Sequence, residues 1–214
     1  EKDSLTVKIL EWENPSSCMI FCNMKRDVSY LEQVLTNHGF NVAALSGDVA
    51  QKLRERTLEN FRKQKINILI CTDVAARGID VSHVTHVIVY DHPEDKEVYV
   101  HRSGRTARAG KEGVAISLIT PVEEIELQKT AADFGIQFEK MPPITDEMLT
   151  NRLQERLLDS LEREKRNIRP LDKARLERFI PLVEKMAKDQ DQKETLAMLL
   201  DQYLKKQKGN HGKN

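Results

Sequence analysis

Net charge is the first thing this sequence lacks. Lysine and arginine together number 34, and aspartate and glutamate also number 34, so no general positive field draws the chain to a polyanion. Any phosphate contact must come from individually placed side chains. The two parts of the chain differ only mildly: residues 1–144 carry 18 basic against 21 acidic residues, and residues 145–214 carry 16 against 13. Cysteine is scarce too. Cys18, Cys22 and Cys71 sit in apolar runs with neither paired metal-ligand spacing nor a disulfide framework. Cys18 and Cys22 share one face of a strand as small buried residues. Such usage fits a reducing, cytoplasmic setting. There is no secretory signal and no apolar run long enough to cross a bilayer, so a soluble intracellular chain is expected. The length, 214 residues, allows one ordinary domain with an appendage.

What is present is an alternation. Cys18-Met-Ile-Phe-Cys22 is a continuous apolar run of the kind that forms a strand buried on both faces. Residues 27–38 follow as an amphipathic helix with Val28, Leu31, Val34 and Leu35 inward, closed by Gly39. Further strands are expected at residues 41–45, 67–71, 84–90 and 114–119, with helices at 51–63, from about 94, and at 123–134. A lead-in helix or linker occupies residues 5–14 and ends at Pro15. Strand and helix at this spacing predict an α/β fold, a doubly wound and mostly parallel sheet with helices on both faces. Ligands of such folds gather at the carboxyl ends of the strands. Asn23, Gly47-Asp48, Thr72-Asp73 and Asp91-His92 all fall just past strands and should therefore line one edge together.

Two stretches carry chemistry. In residues 101–110, His-Arg-Ser-Gly-Arg-Thr-Ala-Arg-Ala-Gly, His101, Arg105 and Arg108 fall at i, i+4 and i+7, one face of a helix. Stacked like charges do not stabilise a helix; they make sense where an anion docks, since guanidinium forks match phosphate oxygens. A solvated basic face is the plainer alternative. Gly104, inside the expected helix, and Gly110 after it argue for close approach of a backbone or ligand instead. In residues 73–80, Arg77-Gly78 interrupts a helical pattern and Asp80 follows. Such a loop can meet a ribose hydroxyl or a phosphate, although Asp73 and Asp80 could equally cap short helices.

These residues carry a resemblance. Thr72-Asp73-Val-Ala-Ala-Arg77-Gly78-Ile-Asp80 and His101-Arg102-Ser-Gly104-Arg105-Thr-Ala-Arg108-Ala-Gly resemble motifs V and VI of the DEAD-box RNA helicases. Ile20-Phe21-Cys22-Asn23 resembles their motif IV, and Ser46-Gly47-Asp48 with Gln51 and Arg54 resembles the motif that contacts the RNA backbone. The likeness covers about residues 1–140, with four motifs in order. Ala107 departs from it, standing where the family usually has glycine; reduced local freedom is expected there, with the role kept.

The resemblance implies a RecA-like domain that closes with a second one over ATP and RNA. Arg105 and Arg108 would be arginine fingers reaching the γ-phosphate of ATP held on the other domain, a contribution worth roughly 10³–10⁵ in rate. Asp80, with Gly78 in its loop, would contact the nucleotide, Asp80 at the ribose. His101 and Arg102 would bridge to the partner domain. Asn23, Gly47, Asp48, Arg54 and Thr72 would hold RNA phosphates and 2′-hydroxyls, contacts that separate RNA from DNA without reading bases. The sequence contains no G-x-x-x-x-G-K-[ST] loop and no Asp-Glu-Ala-Asp run, which the family keeps on its first RecA-like domain with the Mg²⁺ site. The chain is therefore expected to be the second half of a helicase, without ATPase activity alone.

Met141-Pro-Pro143 breaks the chain, and the expected domains are residues 1–144, a helical module at 145–206 and a disordered tail at 207–214. Amphipathic stretches are expected at 145–166, at 171–188 with a kink or break at Pro181, and at 193–206. So few residues offer little core for independent stability. The stripes are expected to be buried by pairing with another copy through this module, giving a homodimer, with packing back on the first domain as the alternative. The module resembles, more weakly, the dimerisation region of some bacterial DEAD-box helicases. Two other functions compete with the RNA helicase: a related helicase acting on DNA, and a non-catalytic RNA-binding or dimerising scaffold.

Overall fold

The computed structural model describes residues 1–76, 84–107 and 112–210. The chain divides into two compact units, the first built on Glu1–Pro143 and the second on Ile144–Lys208.

The first unit opens with α1 (Lys2–Glu13), which Asn14 closes in the left-handed conformation, its N–H donating to the Leu10 carbonyl, before Pro15 prevents continuation. Then follow β1 (Cys18–Phe21), α2 (Lys25–Asn37), β2 (Val42–Leu45), α3 (Gln51–Arg62), β3 (Ile68–Cys71), the single-turn α4 (Asp73–Ala76), β4 (His86–Val89), α5 (Lys96–Ser103), β5 (Val114–Ser117) and α6 (Pro121–Phe134). The five strands form one sheet in the order β2-β3-β1-β4-β5, every pairing parallel. The alternation of apolar strands and amphipathic helices thus yields the expected doubly wound sheet.

Chain order and strand order differ because the winding reverses. From β1 the chain steps outward past the place of β3 to β2, returns to β3, and then crosses β1 to β4. Right-handed crossovers travelling in opposite directions lie on opposite faces. On one face α2 crosses β2 and β3, with Val28, Leu31 and Leu35 buried. On the other, Leu58 and Phe61 of α3, Tyr99 of α5 and Leu127 of α6 join Met19, Phe21, Leu69 and Val87 in one core. β1 is central and buried along its length.

One expectation about an element is corrected here. α5 stops at Ser103, so the arginine stretch is not one continuous helix, and Gly104 is its cap, not an interior residue. The Gly104 N–H still reaches the Val100 carbonyl, but the next two amides turn back three residues, Arg105 to Arg102 and Thr106 to Ser103. Thr106 then anchors the turn: its buried hydroxyl is shared between the carbonyls of Val84 and Thr85, at 2.8 and 3.0 Å.

The second unit is all helix: α7 (Asp146–Arg166), α8 (Pro170–Glu177), α9 (Ile180–Met186) and α10 (Gln190–Asn210). Thr145 caps α7 by accepting from the Met148 amide at 3.2 Å, and Ser160 meets Tyr203 between α7 and α10 at 2.9 Å. α10 is described as far as Asn210. In its last described turns Lys205 pairs one turn back with Asp201. Residues 211–214 lie outside the described residues.

Candidate nucleotide and RNA edge

Parallel strands end together, so the residues after β1, β3 and β4 meet at one edge, beside the point where the winding reverses. They are Asn23, Thr72-Asp73 and Asp91-His92, and a single side chain gathers them. Arg102, in the last turn of α5, is 2% exposed. Its Nε and Nη2 donate to the two carboxylate oxygens of Asp73 at 2.8 and 2.6 Å. Nη2 also donates to Asn23 Oδ1 at 2.7 Å, and Nη1 to the Asp91 carbonyl at 2.6 Å. The guanidinium carbon lies 5.7 Å from the centre of the Phe21 ring. Only a planar fork with several donors can address three loops at once.

The same loops are tied to each other. The Asn23 backbone donates to Asp91 Oδ2 at 3.1 Å, and its side-chain amide donates to the His92 carbonyl at 2.9 Å. Lys2 completes the rim, donating to the Tyr90 carbonyl at 3.0 Å with its ammonium 3.5 Å from Asp91. Behind the edge, Tyr99 packs against His92 and shares a hydrogen bond with Ser117. Burial, more than any neighbour, holds the His92 imidazole below its ordinary pKa, with Glu123 opposing and Arg102 reinforcing. The Cys71 thiol, buried and beside Asp73, is pushed up to about 12 and is inert at neutral pH.

The expected site residues fall as follows. Thr72 is buried at the start of α4. Gly47 and Asp48 are exposed in the turn before α3, Asp48 in an ion pair with Lys25. Arg54 reaches from α3 to the Ala75 carbonyl at 2.9 Å, tying α3 to α4. Arg105 is half-buried in the turn after α5, and His101 is exposed. Gly78, Asp80 and Arg108 lie outside the described residues. The Arg102 guanidinium, expected to bridge to a partner domain, is buried and engaged with Asp73, Asn23 and the Asp91 carbonyl inside this unit. Asp73, left by the sequence between capping a short helix and lining the strand-end edge, is the chief partner of that guanidinium. A carboxylate directly after a strand and an arginine in the next crossover helix but one are visible in the sequence; their meeting needs the strand order.

Among the described residues no group of three His, Cys, Asp or Glu side chains could hold a metal ion. No helix among them is long and apolar enough to cross a membrane.

Comparison with known proteins bears on what this edge is. Residues 1–110 match the family described as the helicase conserved C-terminal domain. The chain is 39% identical over 168 residues to the DEAD-box ATP-dependent RNA helicase CshA of Geobacillus kaustophilus, covering 77% of this chain and 36% of that protein. It spans about a third of the length of the curated relatives it matches. Among solved structures it resembles the E. coli DEAD-box protein SrmB bound to regulator of ribonuclease activity A, with 34% identity, a TM-score of 0.61, and 69% of this chain and 85% of that one covered. It also resembles the C-terminal domain of the DEAD-box protein Dbp5, with 30% identity, a TM-score of 0.63, and 72% and 90% covered. With a parallel RecA-like sheet, the motif residues at its carboxyl edge and these likenesses together, the chain belongs to the helicase conserved C-terminal domain family and carries the C-terminal RecA-like domain of a DEAD-box protein.

Proposed function

We propose that this chain acts as the second RecA-like half of an ATP-dependent RNA helicase. In this reading a first domain holds ATP with Mg²⁺, and Arg105 and Arg108 reach its γ-phosphate when the two domains close. Water attacks the γ-phosphorus, ADP leaves, and the guanidinium charge stabilises the phosphoryl oxygens in the transition state. Asp80 and Gly78 belong to the nucleotide side of the site. Asn23, Gly47, Asp48, Arg54 and Thr72 belong to the RNA side, gripping phosphate and 2′-hydroxyl. His101, exposed after Tyr99 and Val100, is the residue left to meet the partner domain. The observation that carries the reading is the convergence of three strand-end loops on Arg102, three residues before Arg105.

The test uses the full-length protein. Arg105→Ala should lower RNA-stimulated ATP turnover by roughly 10³-fold or more while leaving RNA binding without nucleotide within about twofold. RNA strands should stimulate turnover where matched DNA strands do not. Stimulation by both would favour the DNA-acting relative, and the absence of any turnover with Arg105 intact would favour a non-catalytic scaffold.

A specific observation supports a second role for the helical unit, pairing with another copy of itself. α8 and α9 contain no buried residue, and Leu171, Phe179, Ile180 and Leu182 are all at least half exposed.

A further inference from the structure

We propose that Arg102 is a positioning residue that holds the RNA-side loops and the turn bearing Arg105 at one fixed spacing, and is not an arm towards the partner domain. The proposal rests on the reading of Arg105 given above. Its substance is geometric. Four of the five guanidinium N–H groups are assigned within this unit: two to Asp73, one to Asn23 and one to the Asp91 carbonyl. At 2% exposure the group offers no surface to a second domain, and leaving would strand Asp73 and open three loops.

Asp73 directly follows Thr72, and Asn23 lies in the loop after β1, so both acceptors belong to the loops assigned to RNA. Arg102 itself sits on the last turn of α5, and the Arg105 amide donates back to the Arg102 carbonyl at 3.1 Å. The main chain of Arg102 thus starts the turn that presents Arg105, while its side chain grips the RNA side. One residue joins the two halves of the site, and a shift at the Thr72–Asp73 loop is passed to Arg105 through a rigid planar group. A misplacement of about 1 Å in such a constellation costs on the order of 10²-fold in rate. Lysine cannot replace this function, since a point ammonium has no fork to span a carboxylate, an amide oxygen and a carbonyl in one plane.

The experiment compares Arg102→Lys, Arg105→Ala and their double variant in full-length protein, well below each melting temperature. We expect Arg102→Lys to lower RNA-stimulated kcat by at least about tenfold and to raise the RNA concentration for half-maximal stimulation by at least about tenfold. The KM for ATP should stay within about threefold, because ATP is held on the other domain. In the double variant the kcat should match that of Arg105→Ala alone, since Arg102 acts on hydrolysis through Arg105. Should Arg102→Lys fail to fold, Asp73→Asn provides the same test: it keeps the shape and removes one acceptor, and a smaller loss, about three- to tenfold, again absent on the Arg105→Ala background, is expected. Unchanged kinetics in a folded Arg102→Lys or in Asp73→Asn would overturn the proposal, and so would a further independent loss in the double variant. An active Arg105→Ala protein would instead overturn the reading beneath it.

Discussion

At the scale of single residues, Ala107 shows how a small departure becomes physical. Its φ is +57°, in the left-handed region where a Cβ crowds the following carbonyl at a cost of about 1 kcal/mol. The family's usual glycine would meet no such cost. Ala107→Gly is therefore expected to stabilise the chain by about 1 kcal/mol in urea unfolding, less the extra entropy of the unfolded glycine. The turn is tight on its other side as well, where a Cβ on Gly113 would collide with Thr106 and the Ala107 nitrogen. The substitution itself was legible in the sequence; its cost was not, because φ is set by how Thr106 is anchored. His92 supplies a second residue-scale expectation. Its folded pKa lies below the ordinary 6.5, so the unfolded chain binds its proton first. The stability it contributes is complete above about 6.5 and is lost as pH falls through the folded value. The thermal midpoint should fall between about pH 7.5 and 5.5, and His92→Gln should flatten part of that slope.

Elements obeyed their patterns where packing agreed with them. The five apolar runs became strands, and the stripe of Val28, Leu31 and Leu35 became the buried face of α2. Pro181 marks a break readable from sequence, and the structure shows how it acts. Proline has no N–H for the carbonyl four residues back, which is that of Glu177, the last residue of α8. Pro181→Ala should let α8 and α9 run as one helix, seen as a stronger helical signal at 222 nm in circular dichroism. An unchanged spectrum would mean that packing around Phe179, not proline, breaks the helix. The arginine stretch is the opposite case. Its 101, 105, 108 spacing fits a helix face, yet α5 ends at Ser103. Periodicity describes where side chains would point if the helix continued; the Thr106 anchor on Val84 and Thr85 is a long-range contact that no local pattern contains.

At the scale of the molecule, the two units differ in how well each is filled. The first has a core on both faces of its sheet. In the second, Ile144, Leu149 and Leu157 are the buried apolar residues, few for helices of this length. α8 and α9 span 8 and 7 residues, and helices so short need tertiary packing to persist in water. If a second copy supplies it, light scattering should give twice the monomer mass for the whole chain and a monomer for a chain stopped at Pro143. A dimer surviving that truncation would move the interface to the first unit. The melting temperature of the whole chain should also rise with protein concentration.

The sequence by itself determined the alternation of strands and helices, the glycine and proline punctuation, and the motif residues that name the family, because each depends on neighbours within a few positions. Only the tertiary structure decided that Arg102 turns inward and grips Asp73, Asn23 and the Asp91 carbonyl. Those partners lie 29, 79 and 11 residues away along the chain, and they become neighbours because β1 is inserted between β3 and β4. A charge pattern along the chain records which groups are available; the order of the strands settles which of them meet.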